Sequence, residues 1–141
     1  MDFSLSAEQR ALQDSVRQFA HKELPEIARA VEEADEPPNL EVRKRFAKLG
    51  YLGINLSIDD GGAGGSHLDA VIVLEEIAKI SIAVAFPVFE SCFGPCLAIA
   101  HFGNEKLRKW LLPNICSGDL VLAVSMSEPD AGSALTDLKT R

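Results

Sequence analysis

The apolar residues of this chain change their spacing close to its end. Between residues 6 and 119 they recur at intervals of three and four, the pattern of amphipathic helices. Residues 120–124 instead form a β-rich run, which two hydroxyl residues and a Glu-Pro turn soon follow. A single strand is not stable without partner strands. The sequence therefore predicts an all-α fold, a bundle of about six helices over residues 1–119, followed by the first strand of a truncated β-domain over residues 120–141.

Capping residues mark where the predicted helices begin and end. Ser6 opens a Ser-x-x-Gln capping box at the first helix, and Ser66 can cap the fourth. Gly50 stands where a left-handed C-cap would end the third helix. We expect the fifth helix to cover residues 82–102 and to bend or open at its prolines. Those prolines are Pro87 and Pro95.

Composition excludes several classes of function. The net charge of −7 argues against a nucleic-acid-binding protein, because such a protein needs a basic face. No uninterrupted apolar stretch approaches the ~18 residues of a membrane span, and the N-terminus lacks the features of a secretory signal. The three histidines are not spaced as metal ligands, and the three cysteines are expected to be buried free thiols. We therefore expect a cytoplasmic protein with no metal site and no membrane span.

Several motifs have a structural and a functional interpretation. The glycine-rich residues 61–66 favour a tight turn between helices over a phosphate cradle, because the P-loop ending is missing. Glu75 and Glu76 diverge by ~100° on a helix, so we expect one to form a structural ion pair and the other to face solvent. Glu90 lies among phenylalanines, and its carboxylate belongs either to the rim of the bundle or to the polar end of a pocket.

The segment after the predicted strand carries the polar groups of greatest interest. Ser127 offers a hydroxyl, and Gly132 and Ser133 offer unhindered amides and a second hydroxyl. Such a backbone can pass close to a planar or phosphorylated ligand. An ordinary turn has the same residue types, so the pattern alone leaves both interpretations open.

Several motifs, in order along the whole chain, resemble the acyl-CoA dehydrogenase family of flavoproteins. The first 119 residues are similar to the family's N-terminal helical domain, and residues 127–133 are similar to its Thr-Glu-Pro-x-Ala-Gly-Ser-Asp signature, where the middle β-domain begins. An ordered set of motifs is more specific than any one of them. The motifs are Met1–Arg10, Gly61–Gly64, Leu74–Ala78, Phe102–Lys106, Leu112-Pro113, Ser117-Gly118 and Ser127–Ser133.

The resemblance implies FAD as cofactor and an acyl-CoA thioester as substrate. In the family a glutamate takes the α-proton while the β-hydrogen leaves as hydride to the flavin. That glutamate belongs to the family's C-terminal domain and no residue here matches it, so no catalytic residue is assigned. The resemblance implies that five residues contact the cofactor: Val124, Met126, Ser127, Gly132 and Ser133.

The resemblance also implies where substrate lies. Ser133 would contact the bound CoA as well as the pyrophosphate, and Phe86, Glu90 and Phe93 would wall the acyl tail. The resemblance implies that an electron-transfer flavoprotein accepts the electrons and that the enzyme acts in fatty acid metabolism. It also implies that the full-length protein is a homo-oligomer. The signature departs from the family at three positions. Ser127 replaces Thr, Val124 replaces a commonly aromatic residue and Ala134 replaces Asp.

Two other functions fit the same sequence. One is a related flavin oxidase or monooxygenase of the same superfamily, such as an acyl-CoA oxidase or a nitroalkane oxidase. The other is a non-catalytic helical module that binds an acyl chain or a partner protein, a reading that the flavin-type signature disfavours. We expect the chain to be part of a longer enzyme and to be inactive by itself.

Overall fold

The helices of the chain follow one another with short connections and form a single bundle. The structure is a computed structural model that describes residues 4–140, so Met1–Phe3 of the N-terminal motif and Arg141 lie outside the described residues. The all-α prediction is confirmed. Over the described residues the helices are α1 (Ala7–Glu23), α2 (Pro25–Ala34), α3 (Leu40–Lys48), α4 (His67–Ala78), α5 (Ile82–Cys92), α6 (Pro95–Phe102) and α7 (Glu105–Cys116), with short 3-10 turns at Ile58–Asp60 and Leu135–Asp137.

The expected strand at residues 120–124 does not form in the described chain. Residues 120–127 have no regular secondary structure, and the β-type pairing in residues 4–140 is one isolated bridge between Glu128 and Ala131. The strand prediction was therefore wrong for this chain. The physical reason is the one that limits any lone strand, since its backbone groups need a neighbouring strand to pair with.

Local capping determines the helix ends as the sequence indicates. The Ser6 hydroxyl accepts a hydrogen bond from the Gln9 amide at 3.2 Å, and the Gln9 side-chain oxygen accepts one from the Ser6 amide at 3.1 Å. Ser66 and Asp69 make the same reciprocal pair at the start of α4. Gly50 has φ +72°, the left-handed conformation expected of a helix-ending glycine.

The apolar interior is divided between two clusters. The first lies between α1, α3, α4 and α5 and includes a ring cluster of Phe19, Phe46 and Tyr51, whose centroids are 5.8 to 6.2 Å apart. The second is smaller and lies between α6 and α7. Its buried residues are Leu56, Cys96, Leu112, Ile115 and Cys116. The helices thus pack as a bundle whose interior along α4 and α5 is mostly apolar, with Glu76 and Ser91 as the buried polar side chains of these two helices.

The predicted fifth helix is divided into α5 and α6. The division falls at Phe93, which is extended, and Gly94, which has φ +52°. Pro87 remains inside α5, whereas Pro95 begins α6, so the total is seven α-helices within residues 4–140 instead of about six.

The same segment is the most apolar part of the described chain by the measure used for membrane spans. By length and composition alone, Ile82–Phe102 is long and apolar enough to cross a membrane, with a mean hydropathy of 1.8. The segment is not an uninterrupted apolar stretch, because Glu90 and Ser91 lie within it, and the structure divides it at Phe93 and Gly94. In the bundle the apolar content of α5 is used for packing, because Val84, Ala85, Val88 and Cys92 all lie in the first cluster.

The glycine-rich loop is a tight turn. Its amides are used by backbone carbonyls, since Gly62 donates to Ser57, Gly64 to Leu56 and Gly65 to Ile54 at 2.8 to 2.9 Å. These donors are therefore not free for a phosphate group. The turn interpretation is confirmed.

We expect Gly62→Ala to destabilise the bundle strongly. An added Cβ would lie 2.4 Å from the Leu56 carbonyl oxygen and 2.6 Å from that of Gly53, and backbone atoms cannot move aside as a side chain can. The loss should be about 3 kcal/mol in the free energy of unfolding, measured by urea titration followed by circular dichroism. Gly132→Ala is the control, because its Cβ meets no atom within 4 Å; equal effects of the two changes would contradict the packing argument.

We expect the thiols to be inert in the folded chain. Cys92, Cys96 and Cys116 are free and buried, as predicted. Burial raises the pKa of Cys96 to about 12 and that of Cys116 to about 11, so neither forms much thiolate at neutral pH. An aromatic disulfide reagent should react slowly with the native chain and with three thiols per chain in denaturant. Rapid reaction of the native chain would show that the second cluster opens readily.

Candidate functional site

One side of α5 presents an aromatic surface. Phe86 and Phe89 have ring centroids 5.6 Å apart, and Phe89 and Phe93 have theirs 6.0 Å apart. Phe86 is 49% and Phe89 43% exposed, although both are large apolar side chains. The opposite side of α5 is buried in the first cluster, which fixes the orientation of the aromatic surface.

Two hydrogen bonds hold the C-terminal end of α5. The buried Ser91 hydroxyl accepts from the Gly53 amide at 3.2 Å, and the Asn55 side-chain amide donates to the Cys92 carbonyl at 2.8 Å. Both partners come from the connection between α3 and the glycine-rich turn. The aromatic surface is thereby anchored by a loop 37 to 38 residues earlier in the chain, which no sequence pattern connects with it.

Glu90 lies beside a narrow cleft between α3, α5 and the start of the C-terminal segment. The cleft has a volume of about 10 Å³ and is otherwise mostly apolar. Burial raises the pKa of the Glu90 carboxyl, while the charge of Arg43 acts in the opposite direction. The carboxylate is half-buried, which is closer to the pocket interpretation than to a solvated rim. The cleft is lined by Arg43, Leu52, Pro87, Glu90, Ser91, Ile115, Leu120, Val121 and Leu122.

The predicted cofactor residues lie farther along the C-terminal segment and are exposed. Val124 is 51% and Met126 58% exposed, and Ser127, Gly132 and Ser133 are also exposed. Within residues 4–140, no hydrogen bond, ion pair or ring contact joins these five residues to α5. The structure therefore brings the predicted substrate residues Phe86 and Glu90 together on α5, with Phe93 directly after its end, and leaves the predicted cofactor residues on a separate segment.

The donor groups of that segment are available to a ligand. In the described part of the chain, the amides and hydroxyls of Ser127 and Ser133 and the amide of Gly132 donate to no protein group. An added Cβ on Gly132 would meet no atom within 4 Å. Unused amide and hydroxyl donors around a small residue are a donor set that suits a phosphate group. These residues fit the pyrophosphate of a dinucleotide cofactor such as FAD.

Residues 128–140 form a closed loop whose ends meet at Glu128. The Glu128 carboxylate accepts from the Lys139 amide at 2.9 Å and from the Thr140 amide at 2.9 Å, and it also binds the Thr140 hydroxyl. These hydrogen bonds, first that of the Thr140 hydroxyl, lower the pKa of the carboxyl. Sequence reasoning identified the Glu-Pro turn but not these partners, because they lie 11 and 12 residues away.

The other buried carboxylates are structural. Glu76 is buried and bonded to Arg17 and Lys79, whereas Glu75 is exposed and pairs with Lys79 only at the surface. The prediction that one carboxylate forms a structural ion pair and the other faces solvent is confirmed. Asp60 is also buried and receives Arg108 at 2.8 Å, a pair that sequence reasoning missed. Each of these carboxylates is paired with a basic side chain, and neither ion pair includes a residue of the aromatic surface.

An open groove lies away from all of the predicted site residues. It has a volume of about 550 Å³ and runs between α2 and α3, with an apolar floor that includes Ile27 and Val31. Its rim is acidic, from Glu26, Glu36 and Glu41. None of the residues predicted to contact cofactor or substrate lines it.

Known proteins of similar sequence and structure cover almost the whole chain. Isovaleryl-CoA dehydrogenase, mitochondrial, from Pongo abelii is 35% identical over 97% of this chain and 33% of that protein. A glutaryl-coenzyme A dehydrogenase solved with glutaryl-CoA superposes with a TM-score of 0.87 at 32% identity, over 98% of this chain and 35% of that one. PigA, solved as an FAD complex, has a TM-score of 0.85 at 27% identity, over 99% of this chain and 37% of that one.

The chain thus spans about a third of the length of the relatives that it matches. The family model described as "Acyl-CoA dehydrogenase, N-terminal domain" matches residues 6–119, which contain all seven α-helices of the described chain. The helical bundle, with its aromatic surface on α5, therefore belongs to the acyl-CoA dehydrogenase family.

Proposed function

We propose that this chain is the N-terminal portion of an FAD-dependent enzyme that dehydrogenates acyl-CoA thioesters between the α and β carbons. The observation that carries the proposal is the match of residues 6–119 to the family's N-terminal domain. The unused donors of Ser127, Gly132 and Ser133, which lie C-terminal to that match, support it. When bound, FAD would supply the two-electron acceptor for the reaction.

The residues assigned to the cofactor are those of the exposed segment. Ser127 would donate its hydroxyl or amide to the ring system, and Gly132 and Ser133 would donate to the pyrophosphate. Val124 and Met126 would supply apolar contact, and their half-exposed side chains support this assignment. Ser133 would also contact the CoA part of the substrate. The catalytic base is assigned to no residue of this chain.

The aromatic surface of α5 is assigned to the acyl tail. Phe86 and Phe93 would supply an apolar wall, and the half-exposed ring of Phe86 supports a role in contact with a ligand. Glu90, beside the narrow cleft, would limit how far an apolar chain extends along that wall, because a carboxylate against an alkyl chain loses hydration without gaining a partner. Fatty acid metabolism is the corresponding process, and the buried free thiols support a reducing compartment such as the cytoplasm.

The first test uses the full-length polypeptide that contains this chain. Purified protein should show a flavin absorption spectrum that an acyl-CoA bleaches under anaerobic conditions, and a substrate series should give the preferred chain length. We expect the 141-residue chain alone to bind FAD weakly and to form no enoyl-CoA, because its donors come from one exposed segment. A colourless full-length protein would contradict the proposal.

The electron acceptor decides between a dehydrogenase and an oxidase. By analogy with the family, we propose that the electron acceptor is an electron-transfer flavoprotein and that the full-length enzyme is a homo-oligomer. Reduced full-length protein should then react slowly with oxygen and rapidly with such a flavoprotein. Rapid oxygen consumption would instead assign the protein to the related oxidases or monooxygenases.

We expect Glu90→Leu to shift the acyl preference toward longer chains. Removing the carboxylate should raise kcat/KM for long, unbranched acyl-CoA substrates by about tenfold relative to short ones, while FAD content stays the same. The measurement is kcat/KM over a series of chain lengths. Exposed Glu105→Leu on α7 is the control, and an unchanged ratio in Glu90→Leu would remove Glu90 from the acyl site.

A further inference from the structure

The side chain of Glu128 makes hydrogen bonds in addition to the backbone bonds that close its turn. Its backbone already closes the turn, because the Glu128 amide donates to the Ala131 carbonyl at 2.9 Å and the Ala131 amide donates to the Glu128 carbonyl at 3.1 Å. The carboxylate is therefore free to bind elsewhere. It binds the far end of the loop, where it accepts from two amides and a hydroxyl of Lys139 and Thr140.

The contacts of Glu128 enclose the residues assigned to the cofactor pyrophosphate. Gly132 and Ser133 lie between the two joined ends, and the loop has one buried anchor on their N-terminal side, Ala131, which is 2% exposed. The same turn bonds that orient Glu128 also fix Ala131. A change at the carboxylate is thus transmitted to Gly132 through the covalent chain and the Glu128–Ala131 bridge.

A second carboxylate in the loop has no comparable role. Asp130 forms an ion pair with Lys139 at 3.3 Å, but the side chains are 80% and 76% exposed. An exposed pair of this kind contributes little to stability. Asp130 therefore provides a matched comparison, with the same charge, in the same loop and toward the same residue.

We propose that Glu128 is a positioning residue for the cofactor, whose carboxylate clamps residues 139 and 140 and so holds the Gly132 and Ser133 donors in a conformation ready for a pyrophosphate. This inference rests on the proposed function. It assigns to Glu128 no contact with FAD, substrate or the reacting atoms. Its effect is preorganisation, because a loop that is already ordered loses less entropy when it binds.

The test compares Glu128→Gln and Asp130→Asn in the full-length protein. We expect Glu128→Gln to weaken FAD binding by about tenfold or more, the loss that follows when hydrogen bonds to a charged group are weakened. Asp130→Asn should change FAD affinity less than about twofold. In the apo protein, amide hydrogen exchange at residues 139 and 140 should accelerate in Glu128→Gln and not in Asp130→Asn.

Failure of this inference and failure of the proposed function give different results. FAD binding that is normal in Glu128→Gln would overturn the inference alone, whether or not the exchange rates change. Unchanged exchange at residues 139 and 140 would also overturn it, since the clamp would then not exist. If the wild-type full-length protein binds no FAD, the proposed function fails, and the exchange measurement still decides whether Glu128 holds the loop.

Discussion

Phe46→Ala is expected to lower the free energy of unfolding by about 3–5 kcal/mol, the usual cost of removing a buried aromatic ring. Phe46 is fully buried and packs against Phe19 and Tyr51, with centroids 6.2 Å away from each. The deletion therefore removes apolar area and two ring contacts and leaves a cavity between α1 and α3. For a domain whose total stability is on the order of 5–15 kcal/mol, the loss is a large fraction.

Urea titration followed by far-ultraviolet circular dichroism measures this loss. Leu49→Ala is the matched control, because Leu49 directly follows α3 and is 45% exposed. We expect the control to change stability by less than about 1 kcal/mol. Similar losses for the two variants would mean that the ring cluster is not packed as the structure has it.

Glu76→Gln is expected to lower stability by about 2 kcal/mol, since it weakens hydrogen bonds between charged groups. The Glu76 side chain is 1% exposed and accepts from Arg17 at 3.0 and 3.2 Å and from Lys79 at 2.8 Å. An amide at this position turns donor groups toward these cations. Glu75→Gln is the control, because Glu75 pairs with the same Lys79 at 3.3 Å but is 59% exposed, and it should change stability little.

The loss in Glu76→Gln should depend on pH in a defined direction. Burial pushes the pKa of Glu76 up, but hydrogen bonds from Arg17 and Lys79 and their charges outweigh burial, so the pKa lies below its usual 4.5. A carboxyl whose pKa is lower in the folded state than in the unfolded state stabilises the folded state when the pH is above its unfolded-state pKa. This contribution is lost as the pH falls through the folded-state pKa. Wild type and Glu76→Gln should therefore differ most near pH 6–7 and converge toward acid. A difference that grows toward acid would contradict the ion-pair interpretation.

Features that depend on neighbouring residues could be predicted from the sequence. The capping boxes at Ser6 and Ser66 and the left-handed Gly50 each need only residues within one helical turn. The sequence predicted that one of Glu75 and Glu76 forms an ion pair, because adjacent helical residues face different surroundings. It did not indicate which of the two. The partner of Glu76, Arg17, lies 59 residues away and could not be identified.

Features that depend on distant partners could not be predicted. Residues 120–124 have the composition of a strand, but strand formation needs other strands that the described chain lacks. The fifth helix was expected to bend or open at Pro87 and Pro95. It opens directly before Pro95, at Phe93 and Gly94, whereas Pro87 stays inside α5 on its buried side. In the candidate site, Phe86 and Glu90 lie on α5 and Phe93 directly follows it. The hydrogen bonds of Glu128 could not be predicted, because their partners are distant in sequence.

The interruption at Phe93 and Gly94 has a consequence for how the molecule fluctuates. It lies between the two apolar clusters, so α5 belongs to the larger one and α6 to the smaller. Parts of a protein with fewer buried contacts open at a lower free energy than the parts with more. We therefore expect α6 and α7 to open together, by local unfolding, while α1–α5 stay folded. Phe93 lies at the boundary, so the proposed acyl wall would have one rigid side on α5 and one more mobile side toward α6.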